Sequence, residues 1–223
     1  LRRQLPNCQA HPGDYRQQYA PHQNARPPSH ALIESQSLCQ IEPKAVKALP
    51  LPRSVASDYA ERMTQSEALE IFAETGALME GHFILRSGLH SRQFFQCAQA
   101  LQQMPVVERL GAALAERIAD TKPTTILAPA MGGLVIGQEV ARQLGLRFIF
   151  VEKEDGALAL RRGFKIAEGE KLAIVEDVVT RGGRAQEAID IAREHGADVR
   201  AIAILVDRSN GQWQPDIPLH SLV

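Results

Sequence analysis

The apolar run Leu172–Val175 ends in two adjacent carboxylates, Glu176 and Asp177, and the chain then passes through Thr180, Arg181, Gly182 and Gly183 into a helical pattern. Glycines at a strand-to-helix turn bring several backbone N–H groups toward one point, and the helix N-terminus adds a dipole that favours an anion. A phosphate fits that cradle. Carboxylates would repel a phosphate they touched, but they accept hydrogen bonds well from hydroxyls a few ångströms away, such as those of a ribose. A ribose 5-phosphate satisfies both halves. An acidic turn before an ordinary helix start is the plainer alternative for the same residues.

A second strand end repeats the pattern. In "LAPAMGG", Leu127 to Gly133, residues Ala130, Met131, Gly132 and Gly133 can offer backbone donors to another anion. The same glycines would also suit tight packing of a helix on its strand. Two anion cradles on neighbouring strands match one substrate phosphorylated at both ends. The chain contains neither G-x-x-x-x-G-K-[ST] nor a G-x-G-x-x-G after a strand, which argues against a P-loop NTPase or an NAD-dependent dehydrogenase.

Positioning these turns requires an alternation of strands and helices. Short apolar runs at 125–129, 147–151, 172–176 and 199–206 read as strands buried on both faces, with helices predicted over 133–144 and 183–195. Upstream, 82–86 and 92–97 read as a strand pair around "SGLHS". A helix follows from about Pro105, with Val107, Leu110, Leu114 and Ile118 on one stripe. Thr64 and Glu67 form a capping box ahead of a helix whose apolar face is predicted to carry Leu69, Phe72, Ala73 and Gly76. Strand, crossover helix and strand in succession imply a parallel sheet with helices on both faces, whose ligands bind beyond the carboxyl ends of the strands.

Composition divides the 223 residues. Residues 1–62 hold 8 of the 13 prolines and all three tyrosines, but no phenylalanine and one of the 16 glycines, with a charge of +3 against −4 for the rest. They show no hydrophobic period and are expected to be disordered, with a native product starting at Met63; an organelle transit peptide is the alternative. The net charge of −1 argues against bulk binding to nucleic acid or an anionic membrane, and no apolar run is long enough to span one. Three scattered cysteines make neither a disulfide framework nor a zinc site, consistent with a reducing compartment. His82 and His90 are read as solvated turn residues, His195 as a helix C-terminal partner and Cys97 as a core residue on its strand.

Leu172–Gly183 resembles the fingerprint of the type I phosphoribosyltransferases: an apolar run, two acids, two apolar residues, Thr, any residue, then Gly-Gly or Gly-Thr. Arg184 departs from the family's usual Ser or Thr. "LAPAMGG" resembles the family's pyrophosphate-binding loop. "FILRSGLHSRQFFQ", Phe83 to Gln96, is similar to the signature of the orotate-specific members, and Asp207-Arg208 in "ILVDRSNG" resembles their Asp-Arg pair.

The resemblance covers about Met63 to Leu219 and implies an α/β fold, a central parallel sheet flanked by helices with a small N-terminal hood. It also implies that the C-terminus is truncated. It assigns Glu176, Asp177, Thr180, Arg181, Gly182, Gly183 and Arg184 to the ribose 5-phosphate, and Ala130, Met131, Gly132 and Gly133 to pyrophosphate. Arg86, Phe94, Phe95, Thr180 and Arg208 fall to orotate. The implied reaction moves the phosphoribosyl group from phosphoribosyl pyrophosphate to orotate, giving orotidine 5′-monophosphate for pyrimidine synthesis. A purine phosphoribosyltransferase and a phosphoribosyl-pyrophosphate-sensing regulator are the alternatives. Mg2+ would be held mainly through substrate, with no direct protein ligand. The family's mobile loop falls between the strands at 151 and 172, where Lys153 is the candidate catalytic cation beside Asp177, with Arg162 and Lys165 nearby, although "EDGALALRRGF", Glu154 to Phe164, looks instead like a short β excursion. The family's loop His is missing. The resemblance further implies a cytoplasmic homodimer with shared active sites and no nucleic-acid or membrane partner.

Overall fold

The structure is a computed structural model that describes residues 62–84 and 90–223. The expectations for residues 1–61 and for Arg86 lie outside the described residues. The chain begins with α1 (Gln65–Glu74), β1 (Leu78–Ile84), β2 (His90–Phe95), α2 (Cys97–Leu101) and α3 (Met104–Ile118). It then alternates through β3 (Thr125–Pro129), α4 (Gly133–Leu144), β4 (Arg147–Glu154), β5 (Ala157–Leu160), β6 (Lys171–Val179), α5 (Gly183–Glu194), β7 (Asp198–Asp207) and β8 (Leu219–Ser221).

Six strands form the central sheet in the order β5-β4-β3-β6-β7-β8. All neighbours pair in parallel except β4 and β5, an antiparallel hairpin that turns at Asp155 and Gly156. From β3 the chain moves to β4 on one side, and from β6 to β7 on the other. The order therefore reverses between β3 and β6, the switch point where open α/β sheets leave a crevice for ligands. β1 and β2 make a separate antiparallel ribbon, the small N-terminal element expected from the sequence.

The apolar stripes account for the layers. Val107, Leu110, Leu114 and Ile118 of α3 are all buried, and they join α4, α2 and α1 in a core on one face of the sheet. The other face is covered by α5 through Ala185, Ala188, Ile189 and Ala192. β3 is buried at every position, as its uninterrupted apolar run requires.

Thr64 does cap α1: its backbone N–H donates to Glu67 Oε2 at 2.6 Å, and the Glu67 N–H donates to Thr64 Oγ1 at 3.3 Å. The buried face is rotated from the one expected, because Ala68, Ile71 and Phe72 point inward while Ala73 and Gly76 are exposed. Cys97 is indeed core, but it opens α2 instead of ending β2. Burial pushes its thiol pKa up, and the Asp177 and Glu176 carboxylates add to the effect.

Candidate active site

Both glycine turns lie at the carboxyl edge of the sheet, one on each side of the switch point. After β3 the chain runs through Ala130, Met131 and Gly132 into α4; the Ala130 N–H donates to Val151 O at 2.7 Å, and the Ala130–Met131 peptide is cis. After β6 it runs through Thr180 and Arg181 to Gly182, which takes φ +73° and opens α5 at Gly183. No side chain caps the first turn of either helix; in α4 the Leu134 N–H donates to Met131 O at 3.2 Å, whereas the leading N–H groups of Gly133 in α4 and of Gly183 and Arg184 in α5 stay available to an anion.

The turn after β3 packs on Asp177 of β6. A Cβ on Gly132 would strike the Asp177 carboxylate, lying 2.7 Å from its Cγ, and a Cβ on Gly133 would lie 2.7 Å from Val175 O. Gly137 packs one turn further on, where a Cβ would sit 2.8 Å from Ala128 Cβ. Close helix packing is thus part of why "AMGGLVIG" is rich in glycine.

The paired acids occupy different environments. β6 continues in register to Val179, so Glu176 and Asp177 lie inside the strand rather than at its end. Glu176 is 5% exposed, and burial, reinforced by the neighbouring Asp177 carboxylate, pushes its pKa up to about 9. It is therefore protonated near neutrality and can donate as well as accept. Asp177 is half-buried, and its Oδ1 accepts from the Val178 N–H at 2.8 Å.

A cleft of about 1780 Å3 lies between the β1–β2 ribbon and the ends of β6 and β7. It brings together Phe94, Phe95, Thr180, Arg181 and Arg208. Phe95 packs edge-on against Phe72 of α1 at 5.7 Å between centroids, whereas Phe94 pairs with Phe83 at 5.6 Å, so strand alternation sends only one of the two toward the core. Arg208 lies over the Phe95 ring at 5.9 Å, and its Nη2 donates to Ser91 Oγ and Gln93 O, both at 3.2 Å. Asp207 makes no ion pair with it; its Oδ1 accepts from the Ser209 N–H at 2.8 Å. His82 and His90 are exposed on facing strands, joined by a 2.6 Å hydrogen bond at the cleft wall.

The segment that aligns with the family's mobile loop is the β4–β5 hairpin, the short β excursion expected from the sequence, and the turn after it. Arg161 pairs with Glu154 at 2.9 Å and Arg162 with Glu152 at 2.7 Å. Lys153 is exposed and, among the described residues, makes no ion pair. It stands two residues beyond Val151, the acceptor for Ala130. Arg184 is exposed on the first turn of α5. Among the described residues no three His, Cys, Asp or Glu side chains converge as a metal cluster, and no helix is long and apolar enough to cross a membrane.

Two contacts escape the sequence pattern. Ser91 and Gln93 hold an arginine more than a hundred residues away, and Trp213 covers Gly182. The only available hint was that the chain has a single tryptophan, placed in a polar segment.

Sheet, switch point and paired glycine turns define an α/β protein able to hold a ligand with an anion at each end. A sequence model of the family described as "Phosphoribosyl transferase domain" matches residues 98–221. The orotate phosphoribosyltransferase of Heliobacterium modesticaldum is 48% identical over 158 residues, spanning 70% of this chain and 83% of its own length. That of Caldicellulosiruptor bescii is 44% identical over 161 residues, 72% and 85% of the two chains. In fold, the crystal structure of orotate phosphoribosyltransferase from Aeropyrum pernix matches with a TM-score of 0.61 at 21% identity, over 69% of this chain and 90% of that one. The chain belongs to the phosphoribosyltransferase family and, within it, to the orotate phosphoribosyltransferases.

Proposed function

We propose that this chain transfers the phosphoribosyl group of phosphoribosyl pyrophosphate to orotate, releasing pyrophosphate and forming orotidine 5′-monophosphate on the route to UMP. The observation that carries this reading is the convergence at one sheet edge of two glycine turns and a cleft holding Phe94, Phe95 and Arg208. Thr180, Arg181, Gly182 and Gly183 take the 5-phosphate, with Arg184 as a further cation. Ala130, Met131, Gly132 and Gly133 take the pyrophosphate. Arg208 meets the carboxylate of orotate, whose ring lies against Phe94, while Phe95 backs Arg208 from the core side.

In the reaction the bond from C1 of the ribose to pyrophosphate breaks as a ring nitrogen of orotate bonds to C1. Orotate brings the nucleophile, so the protein's part is to align the reactants and stabilise the leaving charge. Asp177 accepts from the ribose hydroxyls and lies near the positive charge that develops at C1. Glu176 supports it from the core. Lys153 closes on the departing pyrophosphate; a Lys153→Ala variant should lose about 100-fold in kcat, and near-normal turnover would reject it as the loop cation.

The carboxylate and hydroxyl oxygens of Asp177 and Thr180 are hard donors that suit Mg2+, which would be held mainly by substrate and water. Bound so, Mg2+ supplies positive charge to the pyrophosphate. We further assign a homodimer in which the β4–β5 hairpin serves the neighbouring site. The compartment we assign is the cytoplasm, since the substrates are small soluble anions. Orotate consumption with phosphoribosyl pyrophosphate and Mg2+, measured beside adenine, hypoxanthine and uracil, tests the function. Turnover of orotate alone is expected, and turnover of a purine instead would reject it.

A further inference from the structure

Trp213 sits where its indole touches the turn that begins α5. Gly182 holds φ +73°, and a Cβ there would fall on Cγ, Cδ1 and Cδ2 of the indole. The ring nitrogen of Trp213 donates to Gln186 Oε1 at 3.4 Å, and the Gln186 backbone N–H donates to Gly182 O at 2.8 Å. One side chain thus spans the whole first turn of the helix.

The segment that carries Trp213 is itself held at both ends. At its start the Arg208 N–H donates to Val179 O at 2.7 Å, one residue before Thr180. Near its end Asp216 takes both hydrogen bonds from Arg193 Nη2, each 2.9 Å, at the far end of α5. The indole packs against the apolar cluster beneath α5 and is half-buried. It is therefore anchored and not a side chain resting on a surface.

We infer that Trp213 is a positioning residue: its indole fixes the left-handed turn at Gly182 so that the N–H groups of Gly182, Gly183 and Arg184 keep the geometry that receives the 5-phosphate. This inference rests on reading Thr180–Gly183 as the phosphate cradle. A glycine freed of the indole samples many backbone conformations, and each one it adopts in the empty state must be given up on binding. Trp213 removes that cost in advance. Its effect falls on affinity for the phosphorylated substrate, because the reacting atoms lie elsewhere.

Two measurements on the full chain test this. Because Trp213 is the only tryptophan, emission excited at the red edge of the indole band, where tyrosine does not absorb, reports on this turn alone, and titration with ribose 5-phosphate should change it saturably. Trp213→Ala should raise the KM for phosphoribosyl pyrophosphate about tenfold with kcat held within about twofold, and Trp213→Phe should recover most of the loss. An unmoved KM in a folded Trp213→Ala variant would overturn the inference. So would emission that stays constant in the native protein while calorimetry shows ribose 5-phosphate binding, a result that needs no variant to fold. If calorimetry shows no binding of ribose 5-phosphate, the phosphate-cradle reading falls first and takes this inference with it.

Discussion

The two glycine turns look alike in sequence and differ in what their glycines are for. In the turn after β3, Gly132 has φ −58°, a conformation any residue adopts; what it cannot carry is a side chain, because Asp177 occupies the space. In the turn after β6, Gly182 needs both its left-handed φ of +73° and its missing side chain, since the indole of Trp213 lies against it. Gly183 needs neither: its φ is ordinary and nothing lies within 4 Å of an added Cβ. The first turn is thus set by contact with the Asp177 carboxylate, the second by backbone conformation and an aromatic cover.

The sharpest way to break the contrast is Gly132→Ala. Its helical φ suits alanine, so the whole cost comes from displacing Asp177. A shift of about 1 Å in a positioned carboxylate costs on the order of 100-fold, and kcat/KM should fall by about that much. Adding Asp177→Ala should restore thermal stability without restoring activity, since the two changes share one contact. Activity within a few-fold of the parent would show that Asp177 can leave Gly132 without harm.

Gly182→Ala comes next. The left-handed conformation costs a residue with a Cβ about 1–2 kcal/mol, and moving the indole adds to it. The melting temperature should drop by several degrees. Combining it with Trp213→Ala should recover the part due to collision and leave the part due to φ. Equal losses in both backgrounds would mean that the indole already yields.

Much of this scaffold was legible in the sequence. The run "TILAP" gave β3 and the glycine-led stretch gave α4 with the observed bounds, because full burial and helical periodicity leave strong local marks. β4 and β6 run past their apolar runs to Glu154 and Val179, since a paired backbone continues through polar residues once its partner strand does. β8, three residues long, has too few positions to show a period. On α1 the apolar stripe was right at Phe72 but rotated around it: Leu69 turns toward the cleft, and packing by Ala68 and Ile71 beside Phe72 decides the orientation. The glycine turns could be found because their residues are adjacent in the chain. The hold of Ser91 and Gln93 on Arg208, and of Trp213 on Gly182, exists only in three dimensions.

Between the turns stands Glu176, whose test is a matter of pH. Its native pKa of about 9 lies above the ordinary carboxyl value of 4.5, so between those values the folded protein keeps a proton that the unfolded chain has released. Stability from this group is complete below about 4.5 and is lost as pH rises through 9. Glu176→Gln keeps the hydrogen-bonding shape and removes the titration. Relative to the parent, the variant's melting temperature should rise by a few degrees between pH 6 and pH 8.5. A flat or opposite trend would mean that Glu176 is ionised in the folded protein.

Gly183→Ala carries the smallest expected effect and the cleanest meaning. The free protein gains nothing from glycine here: φ is ordinary, the position begins α5, and a Cβ enters open space. Alanine is the better helix former, so thermal stability should be unchanged or slightly higher. If glycine matters at this position, the reason is a ligand that approaches the backbone too closely for a methyl group. The KM for phosphoribosyl pyrophosphate should then rise about threefold to tenfold at unchanged kcat, the signature of lost binding without lost chemistry. An unchanged KM would place the phosphate away from the Gly183 N–H and leave the cradle to Thr180, Arg181 and Gly182. Gly132→Ala and Gly182→Ala disturb the protein whether or not a ligand comes, whereas Gly183→Ala senses only the ligand.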